Sequence, residues 1–426
     1  MAKRASDETS RRGTAGDNRA DGATNGEREA DDGMEGEVPA KATPTETGSL
    51  KAVALLSLKL GCTAFGGPAA HIAMLRHEVV ERRRWMSDRH FLDLLGATNL
   101  IPGPNSTEMV IHVGYEVAGW PGLAAAGALF IVPAASITLA FAWLYLTYGA
   151  TPAGEWLLYG VKPVVAAVIL QAVWSLGRAA FRSWPLRLLA AAVFALGLGG
   201  ASDIVLLLGS GALFGVARGA RQRIWPSSRG WALLPPAGGV FAPALAGSVA
   251  PYSPLTLFLI FLKIGATLYG SGYVLLAYLQ QDFIDRLGWL TNRQLLDAVA
   301  VGQFTPGPVS STATFVGYVV GGVPGAILAT IGIFLPAFLL VGIVNPLLPR
   351  IRRSPWSAGF LDGVNAAAIG LMAAVLVSIG RDAIVDPLTA ALAVAAALLL
   401  VRFKVNSAYL IAGGAAVGLL VALLPR

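Results

Sequence analysis

Two very long stretches without a charged residue constrain the fold of this chain more than any other feature. Val117 to Gly154 spans 38 residues and Ala298 to Pro349 spans 52, with no Asp, Glu, Lys or Arg in either. A helix needs roughly 20 apolar residues to cross a membrane. Charged residues make up 13% of the chain, against about 25% in soluble domains. The sequence therefore predicts an all-α polytopic membrane protein.

The first 48 residues do not share this composition. They are polar, with seven basic and eleven acidic residues. Such a segment buries too little apolar surface to fold, and it lacks the apolar core of a signal peptide. We expect a disordered polar tail over residues 1–48.

The charge, cysteine and histidine content excludes several classes of function. The net charge is +7. The excess of Lys and Arg is expected in cytoplasmic loops, so it does not predict a nucleic-acid partner. The single cysteine, Cys62, allows no internal disulfide, and the four scattered histidines do not suggest a metal site. We therefore expect neither a metal nor a cofactor.

A Pro-Gly-Pro sequence interrupts the apolar part of the chain twice, at positions 204 residues apart. Asn105-Ser106-Thr107-Glu108 follows the first copy and Val309-Ser310-Ser311-Thr312 follows the second. Proline ends one helix and suits the start of the next, and hydroxyl or amide side chains favour a helix N-terminus. We expect a re-entrant or broken-helix hairpin at each copy, with break residues Pro102, Gly103, Pro104, Pro306, Gly307 and Pro308.

The two breaks belong to a longer internal repeat. At an offset of 204, Lys59 corresponds to Lys263 and Trp85 to Trp289. After the breaks the offset becomes 203. The further equivalent pairs include Gly66 and Gly270, Arg89 and Arg293, Asp93 and Asp297, Tyr115 and Tyr318, Pro133 and Pro336. The repeat predicts one copy over 49–217, a linker over 218–253 and a second copy over 254–426. A further break is expected at Gly66-Gly67-Pro68 and at Gly270.

The distribution of basic residues indicates that the two copies have opposite orientations in the membrane. Each half is predicted to contain about five spans plus one hairpin, and an odd number of crossings inverts the second copy. Loop 76–89 has five basic and three acidic residues, whereas loop 280–293 has two of each. Basic loops face the cytoplasm, so the loops alternate as inverted repeats require. This orientation places residues 1–48 outside.

The helix restarts after the breaks are the predicted anion site. A helix N-terminus presents unpaired N–H groups and the positive end of its dipole, and corresponding breaks in two halves mark the binding site of many transporters. The alternative is that the polar side chains are only helix caps. The predicted ligands are Asn105, Ser106, Thr107, Ser310, Ser311 and Thr312.

Five charged residues near the breaks have candidate roles. Lys59 and Lys263 could neutralise a dianion, pair with Asp93 and Asp297, or extend to the membrane surface. Asp93 and Asp297 could couple transport to protons or pair with nearby arginines. Glu108 occupies the position of a capping-box acid, which is the favoured interpretation, with proton coupling as the alternative.

At these residues the chain resembles the chromate ion transporter family, in its long, two-domain form. The resemblance covers about residues 50–425. Many members have Glu directly after Pro-Gly-Pro, where this chain has Asn105 and places Glu108 three residues later. The matching elements are Phe65-Gly66-Gly67-Pro68-Ala69, His71-Ile72-Ala73-Met74, Glu81-Arg82-Arg83-Arg84-Trp85, Pro102-Gly103-Pro104, Gly114-Tyr115, Lys263-Ile264-Gly265, Tyr269-Gly270-Ser271-Gly272-Tyr273 and Thr305-Pro306-Gly307-Pro308.

The resemblance implies a carrier in the bacterial inner membrane that exports chromate, a structural analogue of sulfate. The membrane potential or a proton gradient would drive it, and export would confer chromate resistance. Two alternatives stay open: a carrier for sulfate or another oxyanion, and, from a different class, a membrane lipid phosphatase that uses the same oxyanion site. No nucleophile–base pair near the breaks supports the enzyme. The implied partners are a small oxyanion and the lipid bilayer, with a homodimer left open.

Overall fold

A computed structural model describes residues 49–65, 67–98, 101–181, 183–221, 251–269, 274–344 and 355–423, and their regular secondary structure is helical throughout. The first half contains α1 Leu50–Thr63, α2 Gly67–Arg76, α3 Asp88–Thr98, α4 Asn105–Tyr148, α5 Pro152–Ala180, α6 Trp184–Leu198 and α7 Asp203–Arg221. The second half contains α8 Pro254–Thr267, α9 Leu275–Leu279, α10 Asn292–Phe304, α11 Thr312–Val344, α12 Pro355–Ala383, α13 Pro387–Phe403 and α14 Ser407–Ala422.

Each helix of the first half has a counterpart seven helices later, and the local interactions are repeated as well. Ser49 accepts a hydrogen bond from the first turn of α1, and Ser253 does the same for α8. A π-helical turn follows α2 at His77–Arg82, and another follows α9 at Gln280–Arg286. The duplication predicted from the sequence is therefore confirmed.

The helix after each break folds back on itself. In α4 the backbone leaves helical geometry at Ala118 and Gly119, where Gly119 has φ +61°. A Cβ on Gly114 would lie 2.5 Å from the carbonyl oxygen of Gly122, so the chain reverses between them. Gly322 provides the same reversal in α11, with φ +63°. As predicted, a short helix restarted at each break precedes a full-length span.

The two halves exchange packing partners. The central helix α5 packs against α13 and α14 of the second half, and its counterpart α12 packs against α6 and α7 of the first. The equivalent helices α4 and α11 also pack against each other, as do α5 and α12. Such reciprocal contacts are those of an approximate two-fold arrangement.

Within the described residues, five helices are long and apolar enough to cross a membrane: Asn105–Tyr148, Pro152–Arg178, Asp203–Ala220, Val309–Ile343 and Trp356–Ala383. Shorter apolar helices at Trp184–Leu198, Pro254–Thr267, Pro387–Phe403 and Ser407–Ala422 accompany them.

Several predictions lie outside the described residues. These are the disordered tail over 1–48, most of the linker over 218–253, the break glycines Gly66 and Gly270, and the basic residues of 350–353.

Candidate substrate site at the paired helix breaks

Each Pro-Gly-Pro break contacts the end of the first helix of the other half. The N–H of Gly103 donates a hydrogen bond to the carbonyl oxygen of Leu268 at 2.6 Å, just beyond α8. The N–H of Gly307 donates to the carbonyl oxygen of Ala64 at 2.9 Å, just beyond α1. Each break is therefore held against the end of the first helix of the other half.

Glycine is required at the second break because the chain passes so close to its neighbours. Gly307 has φ +87°, in the region that side chains disfavour. A Cβ there would lie 2.7 Å from the Cβ of Ala134 and 3.2 Å from the carbonyl oxygen of Gly61. Pro308 then serves as the N-cap of the next helical turn and makes no side-chain cap bond. The break is thus fixed by a steric requirement at one residue.

The hydroxyl groups predicted as anion ligands are buried at the breaks, but they differ in availability. Ser311 accepts a hydrogen bond from Thr138 of the other half at 3.2 Å, and Thr312 donates to Val309 within its own turn at 2.8 Å. The hydroxyl groups of Thr107 and Ser310 have no hydrogen-bond partner within the described part of the chain. These two, one from each half, are the ones that could accept a ligand without breaking an existing bond.

Asn105 and Ser106 also lie at the first break. Asn105 is the first residue of α4 and is partly exposed, whereas Ser106 is buried. The N-cap is Pro104, which makes no side-chain cap hydrogen bond. The N–H groups of the first turn of a helix have no intrahelical acceptor. The helix start therefore retains the donors that an anion would need.

Glu108 does not form the capping box that the sequence suggested. Its side chain is fully buried, and neither carboxylate oxygen has a hydrogen-bond partner among the described residues. The carboxyl group lies over Gly103, so closely that a Cβ on this glycine would overlap it. The capping prediction is wrong because Pro104, not Asn105, is the N-cap. A buried carboxyl group of this kind is compatible with the alternative role of Glu108, as a coupling group.

The two duplicated lysines bind carboxylates that were not predicted as their partners. The Nζ atom of Lys59 lies 2.6 Å from Glu78, and that of Lys263 lies 2.5 Å from Asp282. Each lysine forms a salt bridge with an acid on the π-helical turn of its own half, in place of the pairing with Asp93 and Asp297 that was one alternative. The lysine is half exposed in the first half, at 50%, and largely buried in the second, at 14%.

Glu78 is held in its ionised form by several cations. Burial alone would raise its pKa, but hydrogen bonds from Lys59, Arg83 and Arg82 outweigh burial and lower the pKa to about 2. Arg82 lies 3.1 Å and Arg83 3.3 Å from the carboxylate. In the second half the corresponding arginine, Arg286, lies 3.5 Å from Asp282. The first cluster therefore has more positive charge than the second.

The remaining coupling candidates, Asp93 and Asp297, have different surroundings. Asp297 is fully buried in α10, where the hydroxyl of Tyr145 donates to it at 3.0 Å and the Nζ of Lys162 lies 3.8 Å away. Both partners belong to the first half. Asp93 is partly exposed. A salt bridge with the nearby Arg293 was one alternative for Asp297, but Arg293 instead lies 3.6 Å from Glu155.

Four residues with evident structural roles were not predicted from the sequence. Glu78 and Asp282 are equivalent acids in the two copies, so the repeat alignment could have identified them. Tyr145 and Lys162 gave no such signal, since the position equivalent to Lys162 is Asn365. A contact between non-equivalent positions of the two halves cannot be found from the repeat alone.

Comparison with known proteins decides what kind of protein carries this site. The family model for the chromate transporter matches residues 51–216 and 255–419. The chain belongs to the chromate transporter family. The two matched regions cover both halves, and membership places the chain among transporters rather than enzymes.

Curated relatives support the assignment to the chromate transporter family. A chromate transport protein of Cupriavidus metallidurans is 31% identical over 388 residues, covering 88% of this chain and 94% of the relative. A probable chromate transport protein of Synechococcus elongatus is 33% identical over 79% of this chain and 86% of the relative. A chromate transport protein of Pseudomonas aeruginosa is 34% identical over 76% of this chain and 79% of the relative. No solved structure matches the chain.

Proposed function

We propose that this member of the chromate transporter family exports chromate from the cytoplasm across a bacterial inner membrane, and so confers resistance to it. The proposal rests on the contacts of the two breaks with the opposite halves. Gly103 and Gly307 each donate a hydrogen bond to the end of the first helix of the other half. Relatives named chromate transport proteins support chromate as the cargo. Sulfate, which has the same shape and charge, is the alternative cargo.

The proposed binding mode uses neutral donors at two helix starts. Thr107 and Ser310 supply hydroxyl groups that lack other partners among the described residues, and the uncapped first turn of α4 supplies N–H groups. Helix N-termini bind anions because their unpaired N–H groups and dipole favour negative charge. Asn105, Ser106, Ser311 and Thr312 complete the proposed ligand set. Lys59 and Lys263 are proposed charge partners that act from the first helix of each half.

The membrane potential can drive this export. Moving one charge across a potential of 100 mV is worth about 2.3 kcal/mol, so a dianion gains about 4.6 kcal/mol when it leaves a negative interior. A tenfold gradient corresponds to about 1.4 kcal/mol, so that energy sustains a concentration ratio of roughly 2,000. We propose that one half rocks against the other around the breaks, as inverted repeats allow.

Chromate flux into proteoliposomes tests the proposed function directly. With purified protein and a potassium diffusion potential, we expect saturable chromate flux toward the positive side. The flux should fall when the potential is collapsed and when sulfate competes. Flux no greater than in protein-free vesicles would reject chromate transport, and sulfate flux that is faster at equal concentration would favour the alternative cargo.

A second experiment tests Glu108 as the coupling group. An ionised carboxylate without hydrogen bonds is expensive inside a protein, so we expect this carboxyl to exchange a proton when the break opens to water. Glu108→Gln fixes the neutral form. The extra chromate flux produced by an imposed pH gradient should then fall at least tenfold, while flux driven by the potential remains.

Glu116→Gln is the matched control for this experiment. Glu116 lies on the same helix, is exposed and contacts His90 at 3.1 Å. Its substitution should leave the response to pH unchanged. If Glu108→Gln responds to the pH gradient as the native protein does, Glu108 is not the coupling group.

A further inference from the structure

A polar cavity lies where residues of α5, α10, α12 and α13 meet. Its volume is about 230 Å³, and a water molecule occupies about 30 Å³ of liquid, so a tetrahedral oxyanion fits with several waters. In the orientation expected from the loop charges, this cavity opens to the outside. The lining residues are Glu155, Tyr159, Lys162, Arg293, Asp382, Ala383, Val385 and Thr389.

Two cations in this cavity have only loose contacts with carboxylates. Lys162 lies 3.8 Å from Asp297, and Arg293 lies 3.6 Å from Glu155. Charge-assisted hydrogen bonds are normally about 2.7–2.9 Å. The Oδ1 atom of Asp297 that faces Lys162 has no hydrogen bond among the described residues. Both cations therefore have bonding capacity left for an anion.

Helix α10 connects the cavity to the second break. Arg293 lies near the start of α10 and Asp297 lies one turn further along, beside Lys162. The second break begins at Pro306, nine residues after Asp297, a distance of about 14 Å along a helix. An anion that left the breaks along α10 would meet Lys162 first and Arg293 next.

The cavity has no equivalent of Lys162 in the other half. Asn365 stands at the corresponding position. Around the equivalent of α10 the packing also differs, since Leu92 of α3 is 51% exposed while its counterpart Leu296 of α10 is fully buried. Of the two cations, only Arg293 has a basic equivalent in the first half, Arg89, so the two halves differ here.

We propose that this cavity is a second oxyanion site, in which Lys162 and Arg293 hold the departing anion at the outer face. The proposal rests on the proposed function for the identity of the cargo. Asp297, Glu155 and Asp382 compete with the anion for the two cations, so binding stays weak and the anion is released. The site would accept any small tetrahedral dianion, sulfate included.

Binding to the purified protein tests this site without transport. The ring of Trp156 lies 5.3 Å from that of Tyr159 in the cavity wall, so its fluorescence reports on the cavity. The signal is the part of the chromate-induced quenching that Trp156→Phe removes. Lys162→Gln should weaken chromate binding in this signal at least tenfold, and sulfate should displace chromate from the native protein.

Variants at the exposed edge of the cavity keep the test independent of folding. Arg293→Gln should weaken binding several-fold and Glu155→Gln should strengthen it, and both residues are more than half exposed. Arg218→Gln is the control. Arg218 lies 2.6 Å from Asp362, and neither residue lines this cavity. Unchanged chromate affinity in both Lys162→Gln and Arg293→Gln would overturn the proposal.

The outcomes also separate this inference from the proposed function. If the native protein binds chromate near Trp156 but carries no chromate flux in proteoliposomes, the proposed function fails and the site stands. If flux is present and only Ser310→Ala weakens binding, transport stands and the second site is rejected.

Discussion

Replacement of Lys263 by alanine is expected to destabilise the folded protein by about 3–5 kcal/mol, because it leaves a buried carboxylate without its main partner. Asp282 is nearly fully buried, and its other cation, Arg286, lies 3.5 Å away. Thermal unfolding of the purified variant in detergent measures the loss. The double variant Lys263→Ala with Asp282→Asn should recover much of it, since no buried charge then remains.

Lys59→Ala provides the matched comparison in the first half. Lys59 is half exposed and Glu78 retains Arg82 and Arg83, so we expect a smaller loss of stability. If Lys59 is a charge partner of the anion, chromate export should be lost while the protein still inserts into the membrane. Equal destabilisation by the two alanine variants would contradict the assigned difference in burial, and unchanged export would remove Lys59 from the substrate site.

Gly307→Ala is expected to lower chromate flux at least tenfold and the free energy of unfolding by about 2–5 kcal/mol, from backbone strain and overpacking together. The added Cβ would meet Ala134 at 2.7 Å, so the break must move. That movement would disturb the hydrogen bond from Gly307 to Ala64, which joins the two halves. Flux in proteoliposomes and unfolding in detergent measure the two effects.

Gly322→Ala separates the two causes. Gly322 lies in the same half and has φ +63°, but no atom of the described residues would lie closer than 4.0 Å to the added methyl group. We therefore expect a loss of about 1–2 kcal/mol from backbone strain alone, with flux preserved. A loss of flux equal to that of Gly307→Ala would show that strain, and not the close approach between halves, explains the effect.

The fold was largely predictable because it repeats. The register of Lys59 with Lys263 and of Gly103 with Gly307 identified the duplication, and the long uncharged stretches identified the membrane. The fold-back at Gly119 also agrees with the prediction of a short helix followed by a full span. Periodicity and composition are enough for such features, because the bilayer requires every backbone polar group to be satisfied within helices.

The side-chain partners of the charged residues were less predictable. Glu78 and Asp282 are duplicated, but they lie in polar loops, where charge is expected for topology alone, so the sequence did not indicate that they bind the lysines. The contact between Lys162 and Asp297 joins two positions that are not equivalent in the repeat. The sequence alignment of the halves shows which residues are duplicated, but three-dimensional packing decides which residues of one half contact the other.

The exchange of partners around α5 and α12 means that the copies resemble a domain-swapped dimer joined into one chain. Neither copy encloses its own long central helix. The cooperative unit of folding is therefore the pair, and a packing defect in α12 would be felt first by α6 and α7, which the other copy encodes. Duplicated sequence here does not mean duplicated domains.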